Sequence, residues 1–339
     1  MQHNGDLDFL KGIGIMFVVL GHCLTTAIVT KYSTLRIVKD IIYTFHMPLF
    51  FIVTGYLYGL RTFNLENLKK FGFHQVKKLF VPYFVWSVLL YLFYFLLNQV
   101  VSGITPEHIS LNPINMVTDI MTFRVVTGNV LWFTYILFLI TVISYFIHSI
   151  IKSKALNIMF IIIVFLFGYL ANIYIPNEII VIKLFLVMWI YYEIGMFIGI
   201  YVKDINLKAN ALIITVLVGL YAGFSIWSAN LSGIFARALD LLCTLIAVFI
   251  FYSLSKYNNS RFYRFFNYLG KKTMYIYYLH NPYIVLILVT ALTTYTQINV
   301  IAAVTASLFF GIMIPLAVGE VLNRISVIKL VLFGEARKV

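Results

Sequence analysis

The run ALNIMFIIIVFLFGYLANIYI at residues 155–175 contains no charged side chain. At about 1.5 Å rise per residue, a helix of roughly 20 apolar residues crosses the hydrocarbon core of a bilayer. The run is rich in Ile, Leu, Phe and Val and does not alternate apolar with polar residues, as a barrel strand would. It therefore reads as a spanning helix. Comparable runs lie near 8–30, 41–60, 79–101, 130–151, 182–202, 209–229, 234–255, 273–295 and 298–322. The expected fold is all-α, a bundle of about ten transmembrane helices forming one integral-membrane domain over 1–339. No linker, internal repeat or low-complexity segment divides it.

Composition agrees with this reading. Hydrophobic residues make up 62% of the 339, charged residues only 11%, and the mean hydropathy is +0.96. Soluble domains carry about 25% charged residues, so a soluble enzyme, a disordered chain and a nucleic-acid-binding domain are all excluded. Cys23 and Cys243 both lie within apolar runs and offer neither a disulfide framework nor metal-ligand spacing, so no metal is expected. Asp6 and Asp8 stand where a signal peptide would be positive, and the first run reads as a retained helix.

The net charge of +13 fits loops held on the cytoplasmic side. An even number of spans puts both termini on one face. With cytoplasmic termini, the inner loops hold 18 Lys and Arg residues and the outer loops 4, namely Lys31, Arg36, Lys39 and Arg124. The longest outer loop, 102–129, contains TPEH and NPIN turn signals and reads as a lid or as an inert surface loop. The expected location is the cytoplasmic membrane, as a multi-pass protein of a bacterial inner membrane.

Ionisable groups within a bilayer cost about 2.5–3.5 kcal/mol on insertion scales, so each is a candidate for function. In the first run Asp8, Lys11, Val18 and His22 share one helical stripe, and Asp8 and Lys11 are i,i+3 neighbours able to pair. By helical rise His22 lies roughly 21 Å up from the inner face, and His46, entering from the outer side, at roughly 22 Å. Pro48 frees the Thr44 carbonyl and is expected to kink the helix beside His46. Two readings stand for this pair: a functional site, or buried histidines tied to backbone carbonyls. Arg237 and Asp240, again i,i+3, form either a structural ion pair or a substrate-orienting charge. Glu193 and His280 are expected lower, roughly 10–14 Å above the inner face, lining an inner vestibule or making packing contacts. Gly195 and Gly199 form a GxxxG, a close-packing signal. The aromatic stretch TMYIYYLHNPY at 273–283 could stack on a purine or sugar ring, although packing also accounts for it. Cys23 points about 100° away from His22 and is set aside as a nucleophile.

Several stretches together resemble the acyltransferase 3 family of integral-membrane acyltransferases. They are LDFLKGIGIMFVVLGH at 7–22, FHMPLFFIVTGYLYG at 45–59 and KKLFVPYFVWS at 77–87, with weaker echoes in LWFTYILF at 131–138 and LGKKTMYIYYLHNPY at 269–283. Among its members the short, sugar-acetylating, fucose 4-O-acetylase-like proteins are the most similar. Lys11 stands where the family usually has Arg, and Gly14 where Ala is common. Lysine lacks the bidentate fork of arginine.

The resemblance implies acyl transfer, with acetyl-CoA as the expected donor and a carbohydrate hydroxyl on a surface or lipid-linked polysaccharide unit as acceptor. It matches His22 to the catalytic histidine, Asp8 and Lys11 to the acidic and basic positions before it, and His46 to the histidine of FHxPxFF. His22 is then the general base. His46, Arg237 or a helix-end amide stabilises the oxyanion, and direct transfer and an acetyl-histidine relay both stay open. Asp240 and His280 join Asp8, Lys11 and Arg237 as expected substrate- or donor-binding residues. The chain ends at Val339 without the extracytoplasmic esterase-like domain of longer members, so the acyl group is expected to pass straight to a small or lipid-linked sugar, or to a partner. Inner loops 61–78 and 256–272 carry ten of the 25 basic residues and could attract the polyanionic donor, although positive-inside topology gives the same loops. Expected partners are the donor, the carbohydrate acceptor and membrane lipid, with no nucleic acid. The alternative is a transporter exporting a polysaccharide or acylated glycan, since intramembrane charges beside a Pro-kinked helix suit a permeation path. A membrane scaffold leaves the buried charges unexplained.

The basic-residue asymmetry predicts the accessibility of introduced cysteines. Asn67→Cys and Asn259→Cys should react with an impermeant thiol reagent only from the cytosol, and Thr105→Cys only from outside. Labelling of 105 and 259 from one side contradicts ten spans.

Overall fold

The structure is a computed structural model, and it describes residues 5–100, 112–123, 131–203, 207–296 and 298–335. The lid candidate falls partly, and Thr105, Arg124, Arg337 and Lys338 wholly, outside the described residues. Among the described residues the regular structure is helical, and eight helices are long and apolar enough to cross a membrane. The chain is an all-α, polytopic membrane protein. The eight candidates match eight of the ten apolar runs, and the other two depart for physical reasons. The first run forms α1 (Gly5–Cys23), which carries three charged residues, Asp6, Asp8 and Lys11. It was expected to continue to residue 30. Instead the chain leaves the helix at Leu24–Thr25 and restarts as a short α2 (Thr26–Lys31). The ninth run, expected to be continuous over 273–295, is broken at 280–284.

The chain divides into two compact units. The first comprises residues 1–61 and 191–319. It opens with α1 and α2, followed by α3 (Ser33–Tyr43) and α4 (His46–Gly59). The second unit comprises residues 62–190 and 320–339. It holds α5 (Leu68–Gln75), a wide π turn at Val76–Phe80, α6 (Val81–Val100), α7 (Pro113–Thr122), α8 (Trp132–Ile150) and α9 (Lys154–Tyr174). Helix α10 (Ile180–Tyr201) begins in the second unit and ends in the first. The first unit continues with α11 (Ala211–Ser228), α12 (Gly233–Ser255), α13 (Arg261–Lys271), α14 (Thr273–Leu279), α15 (Val285–Tyr295) and most of α16 (Val300–Leu322), and α17 (Ser326–Phe333) returns to the second.

In the second unit, polar groups on apolar helices find partners within the unit. Trp189 Nε1 donates to Ser144 Oγ at 2.9 Å and Trp86 Nε1 to the Leu332 carbonyl at 2.7 Å. The Tyr83 ring stacks on Tyr135 with centroids 4.9 Å apart, and its hydroxyl donates to the Ile120 carbonyl of α7. Within the lid candidate, Asn112 caps α7 by accepting from the Ile114 and Asn115 amides, and Pro113 takes the first helical position.

The first unit is organised on α1, which packs against α3, α4, α12, α13, α14 and α15. Helix α13 falls in a stretch expected to be an inner loop. Phe262, Phe266 and Leu269 recur at helical spacing on one face, with Arg261, Arg264 and Lys271 off it, so the segment is amphipathic. Ser260 caps it by accepting from the Tyr263 amide at 3.0 Å. Its apolar face crosses α1 at backbone contact. A β-carbon on Gly12 would land on the Phe266 carbonyl, and one on Gly270 on the Asp8 carbonyl. Phe9 stacks on Tyr263, centroids 5.4 Å apart.

Helices α4 and α10 meet in the same way. Gly55 and Gly59 lie against the Tyr192 and Met196 carbonyls, and Gly195 and Gly199 against those of Ile52 and Tyr56. The GxxxG is thus half of a reciprocal contact between two helices. Substituting Gly195→Val should push the two backbones apart and cost about 1–3 kcal/mol, read as a lowered unfolding midpoint in detergent. Gly223→Ala, where an added β-carbon meets nothing within 4 Å, should not lower the midpoint.

Candidate functional site

Three helix interruptions of the first unit converge near the C-terminal end of α1. The first is that end itself. His22 lies in the last turn, and Lys39 of α3 donates to the Leu24 carbonyl just beyond it at 2.8 Å. The Lys39 ammonium also lies over the Tyr43 ring, 5.3 Å from its centroid. A β-carbon on Gly21 would sit 2.9 Å from that ring, so Tyr43 packs directly beside His22.

The second interruption is Thr44–Phe45, between α3 and α4. Pro48 has no amide hydrogen for the Thr44 carbonyl, as its sequence position required. Side chains donate to the carbonyls around the break, of which Ile42 also accepts the Phe45 amide at 3.3 Å. The hydroxyls of Thr44 (2.8 Å) and Tyr221 donate to Ile41, His46 Nδ1 (2.9 Å) to Ile42, and Thr244 Oγ1 of α12 (2.8 Å) to Thr44. Because a carbonyl only accepts, the His46 proton sits on Nδ1. His46 is buried and its ring lies 4.6 Å from that of Tyr43.

The third interruption separates α14 from α15. His280 Nδ1 donates to the carbonyls of Ile276 (2.9 Å) and Tyr277 (2.8 Å), which fixes its proton on Nδ1 as well. The His280 ring is fully buried, 5.1 Å from that of His22. The expectation that His280 lies a level below His22 is therefore corrected. The rise was counted up an unbroken helix from an inner loop, whereas the chain before α14 is already a helix packed on α1 at Asp8–Gly12. Asn281, next in the break, brings Nδ2 to 3.4 Å from His22 Nδ1. The titratable groups that bear on His22 are His280, His46 and Lys39. Of the three histidines, His46 and His280 are buried and His22 is partly exposed.

The other residues singled out in the sequence lie elsewhere in the same unit. Asp8 and Lys11 pair with each other at 2.6 Å, roughly 21 and 16 Å along α1 from His22. Arg237 is buried and its guanidinium lies over the Tyr191 ring, 5.5 Å from the centroid. Asp240 accepts from the Ser228 hydroxyl. Glu193 is buried in α10. At the N-terminal end of α1, Asp6 pairs with Lys256 at 2.7 Å, beside an apolar cavity of about 330 Å³ lined by Leu7, Leu10, Ile52, Val53 and Phe249. Partial burial pulls the Lys256 ammonium down, but the Asp6 carboxylate and Tyr252 outweigh it, so the group titrates above the ordinary lysine value. Among the described residues no group of three or more His, Cys, Asp or Glu is placed to hold a metal ion.

Sequence reasoning missed Lys39, Tyr43, Thr244 and Asn281. Lys39 was read as an outer-loop residue, and Tyr43 and Thr244 are ordinary residues within apolar runs. Asn281 had a signal, since an Asn-Pro inside an apolar run marks a break.

Within this bundle of apolar helices a partly exposed imidazole, two buried ones and an ammonium thus lie close together. The chain matches a family model described as an acyltransferase domain over residues 4–320 and belongs to the acyltransferase 3 family of integral-membrane acyltransferases. Nodulation protein NolL of Sinorhizobium fredii (strain NBRC 101917 / NGR234) is 37% identical over 92 residues, 26% of this chain and 25% of that protein. The chain thus spans about a quarter of the length of this relative. No solved structure matches the chain.

Thr244 should matter to stability through one carbonyl. Thr244→Val should leave the Thr44 carbonyl unsatisfied and cost about 1–3 kcal/mol, lowering the unfolding midpoint in detergent, while Thr244→Ser should stay close to wild type.

Proposed function

We propose that this protein transfers an acetyl group from acetyl-CoA to a carbohydrate hydroxyl, with His22 as general base. The observation that carries the reading is the contrast among the three converged histidines. His46 and His280 are buried with Nδ1 bound to backbone carbonyls, whereas His22 is partly exposed and makes no such bond. His22 is the one a substrate can reach.

A sugar hydroxyl is a poor nucleophile at neutral pH, and a positioned imidazole is the usual remedy. In direct transfer the hydroxyl proton passes to His22 as the oxygen bonds to the thioester carbonyl carbon. The carbon–sulfur bond then breaks, and the departing thiolate takes the proton from His22, giving an ester and free coenzyme A. The Lys39 ammonium bears on His22 electrostatically and suits the developing oxyanion better than His46, whose proton is committed to Ile42. Arg237, stacked on Tyr191, is read here as an acceptor-binding residue together with Asp240. Asp8 and Lys11 form a neutral pair lower on α1 and hold the donor side of the path. The cavity at Asp6–Lys256 suits the apolar part of a donor, and Lys271 and Lys272 suit its phosphates.

The same reading makes residues 1–339 one functional domain with ten crossings and cytoplasmic termini. Charged α1 and broken α14–α15 supply the two crossings beyond the eight apolar ones. The membrane is a bacterial inner membrane, and the acceptor is a surface or lipid-linked polysaccharide unit.

Purified protein in detergent should release coenzyme A thiol from acetyl-CoA and form an O-acetyl ester on a suitable sugar, with no gradient required. His22→Ala should lower turnover by roughly 10²- to 10⁴-fold with unchanged yield and elution on gel filtration. Near-normal turnover in His22→Ala removes the base assignment. Thioester cleavage that never exceeds the His22→Ala background across a broad panel of acceptors removes the enzyme reading, and transport of a glycan by reconstituted vesicles would replace it.

A further inference from the structure

A neutral imidazole carries one proton, and its neighbours decide which nitrogen holds it. For His46 and His280, backbone carbonyls decide. Among the described residues, Asn281 is the group within hydrogen-bond distance of the His22 ring, with Nδ2 at 3.4 Å from Nδ1. Like His22 it is partly exposed, while its neighbour His280 is fully buried.

We propose that Asn281 is a positioning residue for His22: its side-chain carbonyl holds the imidazole proton on Nδ1 and so presents the Nε2 lone pair to the acceptor hydroxyl. The inference rests on His22 as the base and adds the residue that makes it one.

The two ends of a carboxamide exchange places by a half-turn about the terminal bond, so the 3.4 Å contact admits two pairings. With the amide NH₂ toward Nδ1, that nitrogen accepts and the ring proton sits on Nε2. Both ring nitrogens are then committed, and the accessible imidazole has no lone pair for a substrate. With the amide oxygen toward Nδ1, the ring donates to Asn281 and Nε2 is bare. Only the second arrangement lets His22 accept a proton. It then also favours the imidazolium, whose Nδ1–H stays bound throughout the transfer. Asparagine holds histidine in this way in Cys-His-Asn proteases. The contact is longer than an ideal hydrogen bond, and catalytic hydrogen bonds commonly tighten only in the substrate complex.

From the helices packed against α1, the titratable groups facing His22 are His280 of α14, His46 of α4, and Lys39 and Tyr43 of α3. None competes for the role. Lys39 is a donor already bound to the Leu24 carbonyl, and no hydrogen bond joins His22 to either buried histidine. The break supplies the placement. Continuing α14 as a helix would turn residue 281 about 100° from residue 280, whereas the interrupted chain carries both against His22.

The test uses the purified full-length protein, acetyl-CoA and a sugar acceptor that the wild type esterifies, together with ¹⁵N-histidine NMR of the detergent-solubilised protein. In the wild type, His22 should give the nitrogen shifts of an Nδ1–H tautomer. Asn281→Ala should give mixed tautomers, with kcat down roughly 10- to 100-fold and KM within about twofold. Asn281→Asp keeps the side-chain shape and places a carboxylate against Nδ1–H. It should retain turnover and move the acid limb of the kcat/KM profile upward by roughly one pH unit, since a nearby anion favours the imidazolium. A merely structural asparagine would not move that limb. The proposal is overturned if the Asn281→Asp profile overlays the wild type, or if His22 in the wild type is an Nε2–H tautomer. If His22→Ala keeps wild-type turnover, the base assignment fails first, and a normal Asn281→Asp profile beside an inactive His22→Ala fails Asn281 alone.

Discussion

Inside an apolar bundle a backbone carbonyl has no water to turn to, and every helix interruption leaves several of them unpaired. Within the first unit this constraint selects the side chains around His22. The Leu24 carbonyl recruits Lys39, and that of Ile42, which also accepts the Phe45 amide, takes His46 as a second donor. Those of Ile41 and Thr44 recruit Tyr221, Thr44 and Thr244, and that of Tyr277 recruits the His280 ring, which also adds to the His280 amide on Ile276. Each unsatisfied group would cost about 1–3 kcal/mol. Several of the polar groups in this region therefore serve backbone carbonyls, and among the described residues here His22, with Asn281 beside it, does not.

The same accounting explains why polarity gathers at this level of α1. A straight apolar helix offers a substrate nothing but methyl groups. An interrupted one offers an ammonium, hydroxyls and imidazoles in fixed orientations, because the breaks demand them. The interruptions are in turn affordable because neighbouring helices are clamped at backbone contact, α1 on α13 at Gly12 and Gly270, and α4 on α10 through paired glycines. These contacts hold α1 and α4 in register while their ends give up helical hydrogen bonds.

Much of the membrane architecture was legible in the sequence, because spanning length and apolar content are properties of a single segment. Eight of ten runs match spanning candidates. The two that differ carry His22, His280 and Asn281. Three charges set α1 apart, and in 273–295 an Asn-Pro follows directly on His280. The Asp8–Lys11 pair followed from i,i+3 spacing, and the freed Thr44 carbonyl from Pro48. Thr244, 200 positions away in the sequence, could not be inferred, since nothing local names the partner of an orphaned carbonyl. The position of His280 was misjudged for a related reason. Helical rise measures depth along one unbroken segment, and it cannot see that α13, too short and too basic to read as a span, already lies within the packing of α1.

Of the two readings of the paired histidines, burial tied to a carbonyl describes His46, as it does His280, and their rings lie against Tyr43 and His22 with fixed tautomers. The family resemblance singled out His22 and His46 together, yet their bonding differs in kind. A histidine whose Nδ1 closes a helix break cannot turn without exposing a buried carbonyl, so its Nε2 is immobile. His22 has no such obligation. An alternating-access carrier must release and rebind its polar groups as helices rearrange, and at this site that would expose several carbonyls at once. The transferase proposed for this chain needs the opposite, a fixed wall and one base free to change its protonation state, and the bonding pattern around His22 supports that proposal.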